Sequence, residues 1–170
     1  MAAATTTPRA ASRRGPKCLA LLTLLAAAWL PACAAEPDSP EAQIRALLQQ
    51  AEAAAEEKNV GALKQLLSES YSDDHGQDRQ AVAGLLTFTF LRNQSVHLLT
   101  RVRSIEFPQP GQARTTVFVA MAGTPIPGID ELARVRADLY RFDFSLGDEG
   151  SGDWRVTRAA WRRASADDFL

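Results

Sequence analysis

The densest group of side chains able to do chemistry is Asp73-Asp74-His75. A carboxylate beside an imidazole can work as a general acid/base pair, and both residue types ligate metals. Neighbours on an extended chain point in alternating directions, so the three cannot all converge on one point. The other imidazole, His97, has no HxH or HxxxH partner, and no metal site is expected. A solvated turn is the competing reading of the cluster, since Asp and Gly are common turn residues.

Two Arg-x-Asp pairs lie close together, Arg136 with Asp138 and Arg141 with Asp143. In a strand, residues two apart share a face, so each pair can set a guanidinium beside a carboxylate. The pairs have opposite parity, and only one can point inward unless a bulge intervenes. An inward Arg136 would hold Asp138 ionised as an orienting or water-activating group, whereas an outward pair would be a screened surface ion pair. Tyr71, Tyr140, Trp154 and Trp161 can line a pocket, a core or a dimer interface. The chain has no Gly-rich phosphate loop, no GxSxG and no CxxC, so no cofactor is expected.

These groups must be held by elements that the periodicity lays out in order. Ser39 caps a helix that opens with Pro40 and runs to residue 58, with Ile44, Leu47, Leu48 and Ala51 on one face. Asn59 caps a second, shorter helix with Leu63, Leu66 and Leu67, and Asp78 opens a third that reaches Leu91. After Arg92 the period shortens toward two. Strands are predicted near residues 94–107, 112–122, 133–146 and 153–164, separated by Gly- and Pro-bearing reversals. Helices first and strands afterwards is an α+β pattern, and the short links favour an antiparallel sheet.

Residues 1–32 carry four basic and no acidic side chains, which leaves fifteen basic and twenty acidic in the remainder, a formal −5. A net acidic domain without a basic run lacks the footprint of a nucleic-acid binder. The acid is concentrated early: residues 33–80 hold ten acidic and four basic side chains, as for a solvated helical surface. An apolar content of 46% is enough to build one core.

At the amino terminus a basic stretch ending in Lys17 precedes thirteen uncharged residues, Cys18 to Leu30. That run is too short to span a bilayer as a helix but suits the apolar part of a secretion signal. Leu30-Pro31-Ala32-Cys33 follows, and it resembles the lipobox of bacterial lipoproteins. The resemblance implies cleavage before Cys33, lipidation of its thiol and an envelope protein held by its lipid. With Ala34 and Ala35 next, the implied location is the outer membrane, facing the periplasm. Ordinary cleavage near Ala32 or Ala35 is the alternative. Lipidation also accounts for Cys33 as the single cysteine outside the signal, where no intramolecular disulfide can form. The implied layout is a signal at 1–32, a lipidated tether at 33–40, one domain at 41–164 and a C-terminal tail at 165–170.

Within that domain, Leu66 to Gly76 (LLSESYSDDHG), Asp153-Trp154-Arg155-Val156 and Ala160-Trp161 resemble nuclear transport factor 2-like and SnoaL-like domains. Val96 to Arg101 and Leu139 to Asp143 resemble uncharacterised proteobacterial lipoproteins. The resemblance implies three helices packed on a curved four-stranded antiparallel sheet forming a cone. Any ligand would sit between helices and sheet, with the Tyr71 to His75 loop at the mouth and Arg136, Asp138 and Tyr140 on the inner wall. Trp161 joins these as a candidate pocket residue. One fold hosts many functions. The implied classes are a module binding a small apolar ligand or an envelope protein, a cofactor-free isomerase, dehydratase or hydrolase, and a structural assembly protein. A homodimer is compatible with each.

Overall fold

In the computed structural model, residues 38–132 and 134–169 are described. The secretion signal, Cys33 and most of the tether lie outside them. Three helices form where capping predicts. Ser39 Oγ accepts from the Ala42 N–H at 3.2 Å and opens α1, Pro40–Glu56. Asn59 accepts from Ala62 at 3.0 Å and opens α2, Val60–Gln65. Asp78 accepts from Ala81 at 2.8 Å and opens α3, Arg79–Arg92. Each cap satisfies one backbone donor that the first helical turn leaves free.

The sheet has five strands rather than four: β1 Leu67–Asp73, β2 His97–Gln109, β3 Gln112–Ala122, β4 Asp138–Asp148 and β5 Trp154–Arg163. They lie in the order β1-β5-β4-β3-β2, antiparallel except where β1 runs parallel to β5. Strand β1 falls in the segment read from sequence as the end of a helix and a loop. It reads LSESYSD, too polar for an apolar alternation to show, and it is a strand because it covers the edge of β5.

The helices cover one face. Ile44 and Leu47 of α1 meet Tyr71, Ala113, Leu146, Trp154, Val156 and Ala159 in the main core. Val156 pairs with Leu146 and Arg158 with Ser145, so Thr157 is a bulge residue. The bulge keeps Val156 and Ala159 on the same face although their parities differ. Glu52 of α1 accepts from Thr100 Oγ at 2.6 Å, and Glu56 from the Leu98 N–H at 2.8 Å, which ties the helix to edge strand β2.

The opposite face carries a second cluster, in which Phe118 and Ala120 pack with Leu132 and Phe169. Two segments read differently from sequence supply it. Residues 129–131 form a 3-10 turn, and the Glu131 carbonyl accepts from Arg134 and Val135, so the chain is turned where a strand from 133 was predicted. Strand β4 therefore begins at Asp138. Residues 166–169, within the expected tail, form a 3-10 turn that buries Phe169 completely, its ring 5.6 Å from that of Phe118.

Candidate functional site

The site is built where β1 ends. Asp73 sits in a tight reversal: its N–H donates to Gln77 O at 3.0 Å, its carbonyl accepts from Gly76 at 3.1 Å, and Gly76 takes φ +74°. The side chain joins the same turn, with Oδ1 accepting the backbone N–H groups of His75 and Gln77, each at 2.8 Å. Its other oxygen, Oδ2, is buried and has no hydrogen-bond partner among the described residues, in a residue only 3% exposed. Leaving such an acceptor dry is costly, and natural interiors seldom do so.

Around Asp73 lie the groups that β5 and β4 bring in. Asp73 pairs with Ala159, a core residue, so the carboxylate belongs to the helix-covered face. Asp74 points the other way and pairs with Arg158 at 2.7 Å. The His75 ring stacks on Trp161, with centroids 5.3 Å apart and planes within 8°. From Trp161 the aromatic surface continues to Phe142 at 6.3 Å, and from Phe142 to Phe144 at 5.5 Å and Tyr140 at 6.2 Å. The ladder ends at Arg163, which lies 5.6 Å over the Tyr140 ring and pairs with Asp138 at 2.9 Å. Trp161 pairs with Phe142 and Arg163 with Tyr140 across the two strands, and the rungs follow that register.

Tyr71 is buried two residues before Asp73. Burial, and then the negative charges of Asp73 and Asp74, push its hydroxyl up to about 12 from an ordinary 10.0. The shift makes a pH test. Because the folded state holds the proton more tightly, the Tyr71 contribution to stability is constant below pH 10 and is lost as pH rises toward about 12. Tyr71→Phe is expected to remove that alkaline decline in denaturant titrations; a decline identical in both chains would contradict it.

The structure divides the candidate residues. Asp73, His75 and Trp161 come together, and Tyr140 joins them through Phe142. Arg136 does not. It is exposed and precedes β4, so the expected Arg136–Asp138 pair is absent: Asp138 is half-exposed and its cation is Arg163. The opposed parity of the two Arg-x-Asp pairs is seen directly, with Arg141 and Asp143 on the outer face, where Asp143 also accepts from Thr116 at 2.6 Å. Asp73 meets His75 through the backbone N–H and not the ring, as in the turn that was the competing reading of the cluster. Among the described residues no three His, Cys, Asp or Glu side chains are grouped as metal ligands. Phe142, Phe144 and Arg163 were missed from sequence. Their signal was the alternation Asp138, Tyr140, Phe142, Phe144, legible once β4 is started at Asp138.

No family model matches the chain, and no curated protein matches it significantly. Solved structures do. A candidate dehydratase of the NTF2-like family from Streptomyces avermitilis superposes with a TM-score of 0.59 at 15% identity, covering 76% of this chain and 99% of that one. A hexachlorocyclohexane dehydrochlorinase from Novosphingobium barchaimii gives 0.57 at 13% identity over 74% and 86%. A ketosteroid isomerase-like protein from Erwinia carotovora atroseptica gives 0.54 at 12% over 73% and 95%. At such identities the likeness is one of fold: the chain has the nuclear transport factor 2-like α+β fold, with helices on a five-stranded, mostly antiparallel sheet.

Proposed function

We propose that this is a lipid-anchored envelope protein whose domain binds a small, largely apolar ligand along the aromatic ladder, held by a hydrogen bond from the ligand to Asp73 Oδ2. The buried, partnerless Oδ2 carries the reading. The ladder offers flat apolar surface, and one acceptor at its end fixes orientation, which is how small-molecule sites divide affinity from specificity. The anchor rests on Leu30-Pro31-Ala32-Cys33, and the outer-membrane location facing the periplasm on the Ala34 and Ala35 that follow.

The test compares 2-naphthol with naphthalene by quenching of the protein's tryptophan fluorescence. Oδ2 predicts that 2-naphthol binds at least about tenfold more tightly, the value of a hydrogen bond to a charged group. Asp73→Asn keeps an oxygen for the His75 and Gln77 N–H groups but turns the free acceptor into a donor, and it is expected to erase the preference. Equal binding of both probes to the unaltered protein would sink the reading.

The same carboxylate favours a second reading, a cofactor-free enzyme of the isomerase, dehydratase or hydrolase type. There Asp73 accepts a proton from an apolar substrate held on the ladder. Structurally similar proteins include a dehydrochlorinase. Turnover lost in Asp73→Asn, with apolar binding retained, would separate this reading from simple binding.

A further inference from the structure

Helix α3 is apolar on both sides. Val82, Ala83 and Phe90 face inward, Ala83 and Phe90 buried and Val82 packed on the main core. On the far side Leu85, Phe88 and Leu91 are 43, 57 and 83% exposed. At 3.6 residues per turn these three form one outward stripe, opposite the packed side.

The polar groups of α3 are arranged as an apolar medium requires. Thr87 Oγ donates to the Ala83 carbonyl at 2.8 Å and Thr89 Oγ to that of Leu85 at 2.9 Å, so both hydroxyls are satisfied within the helix. Such back-bonding suits a helix whose surroundings offer no water. Charge is one-sided as well. Arg79–Arg92 contains two arginines and no acidic residue; Arg79 is paired with Glu69, and Arg92 is the exposed cation at the far end. Arg92 sets its guanidinium over the Phe88 ring, Cζ 5.3 Å from the centroid, so a cation sits beside the apolar stripe. Just beyond the helix, Lys58 donates to the carbonyls of Asn93 and Gln94.

An outward Leu/Phe stripe, internally satisfied hydroxyls and a cation at the C-terminal end of the helix fit the interface of an anionic bilayer. Among the described residues no helix is long and apolar enough to cross a membrane, so α3 would lie in the interface. We infer that the outer face of α3 docks on an anionic lipid surface, with Leu85, Phe88 and Leu91 entering the headgroup boundary and Arg92 meeting lipid phosphate. The inference rests in part on the anchored reading: the seven residue-to-residue steps from Cys33 to Pro40 reach at most about 25 Å, so a lipid on Cys33 would hold the domain beside that surface.

The test is a depth measurement on the processed chain in vesicles of phosphatidylethanolamine and phosphatidylglycerol. An environment-sensitive thiol label goes at Leu91→Cys and, as a control, at Gln49→Cys on exposed α1 surface. Intact mass reports separately whether Cys33 carries lipid; if it does not, the labelling uses the Cys33→Ser background and the anchored reading alone fails. Docking predicts a blue-shifted label at 91, quenched about threefold more by lipid-borne nitroxide than the label at 49, as for a side chain seated in the acyl boundary. Phe88→Glu should abolish the difference, and phosphatidylcholine vesicles should weaken it. Water-like emission at 91 in a chain that is lipidated and membrane-bound would overturn the inference, as would burial of 91 only at protein concentrations that form dimers. Retention of the folded far-ultraviolet spectrum guards against reading misfolding as failure.

Discussion

A Phe169→Ala chain is expected to lose about 3–5 kcal/mol of unfolding free energy, the range for removing a buried aromatic side chain. Phe169 is fully buried and packs on Phe118, in a cluster that joins the chain's end to the β3–β4 connection through Leu132. Without the ring, two segments with little regular structure lose their common packing partner. Denaturant unfolding measures the loss. A change below about 1 kcal/mol would show that the cluster contributes no more than an ordinary surface contact. The Tyr71 alkaline step should survive the substitution, because Tyr71 belongs to the other core.

Cys33→Ser is expected to reduce incorporation of labelled fatty acid to background. Membrane hold through acyl chains scales at about 0.8 kcal/mol per buried methylene, and stable anchoring needs more than one chain. Loss of the thioether therefore removes the whole anchor rather than weakening it. Where the variant is cleaved by the ordinary route near Ala32 or Ala35, the domain should leave with the soluble fraction. Undiminished labelling of the Ser variant would refute lipidation at Cys33. The docked α3 face bears on the result too: a delipidated domain that still collects on anionic vesicles would do so through Leu85, Phe88 and Leu91.

What the sequence made legible followed from local chemistry. Ser39, Asn59 and Asp78 marked all three helix starts, because an N-cap depends on the few residues beside it. Strands β2 and β3 were found near their observed limits, since their Val, Thr and Phe alternate over a dozen residues. Strand β1 was not legible, because Ser, Glu and Asp become a strand only when a distant edge pairs with them. The same dependence hid half the site. Asp73 and His75 stood out as a cluster, but the burial of Oδ2 and the stacking on Trp161 are set by β5. Arg136 was misplaced because Leu132, an apolar residue ahead of a strand-like pattern, is buried in a turned segment on the outer face and not in β4.

The parallel pairing of β1 with β5 also sets when the site can exist. Asp74 and Arg158, which meet at this seam, are 84 residues apart in the chain. A polypeptide that emerges from its amino terminus presents β1 early and the strand that completes it almost last. Helices α1 and α2 can close locally in the meantime, whereas long-range pairing must wait and costs loop entropy when it comes. Until β5 docks, Tyr71 and Asp73 are ordinary polar chain with no aromatic wall beside them. The setting of Asp73 is therefore a late product of folding, and a nascent chain ending before Trp154 would lack the strand that buries Asp73 and the Trp161 ring on which His75 stacks.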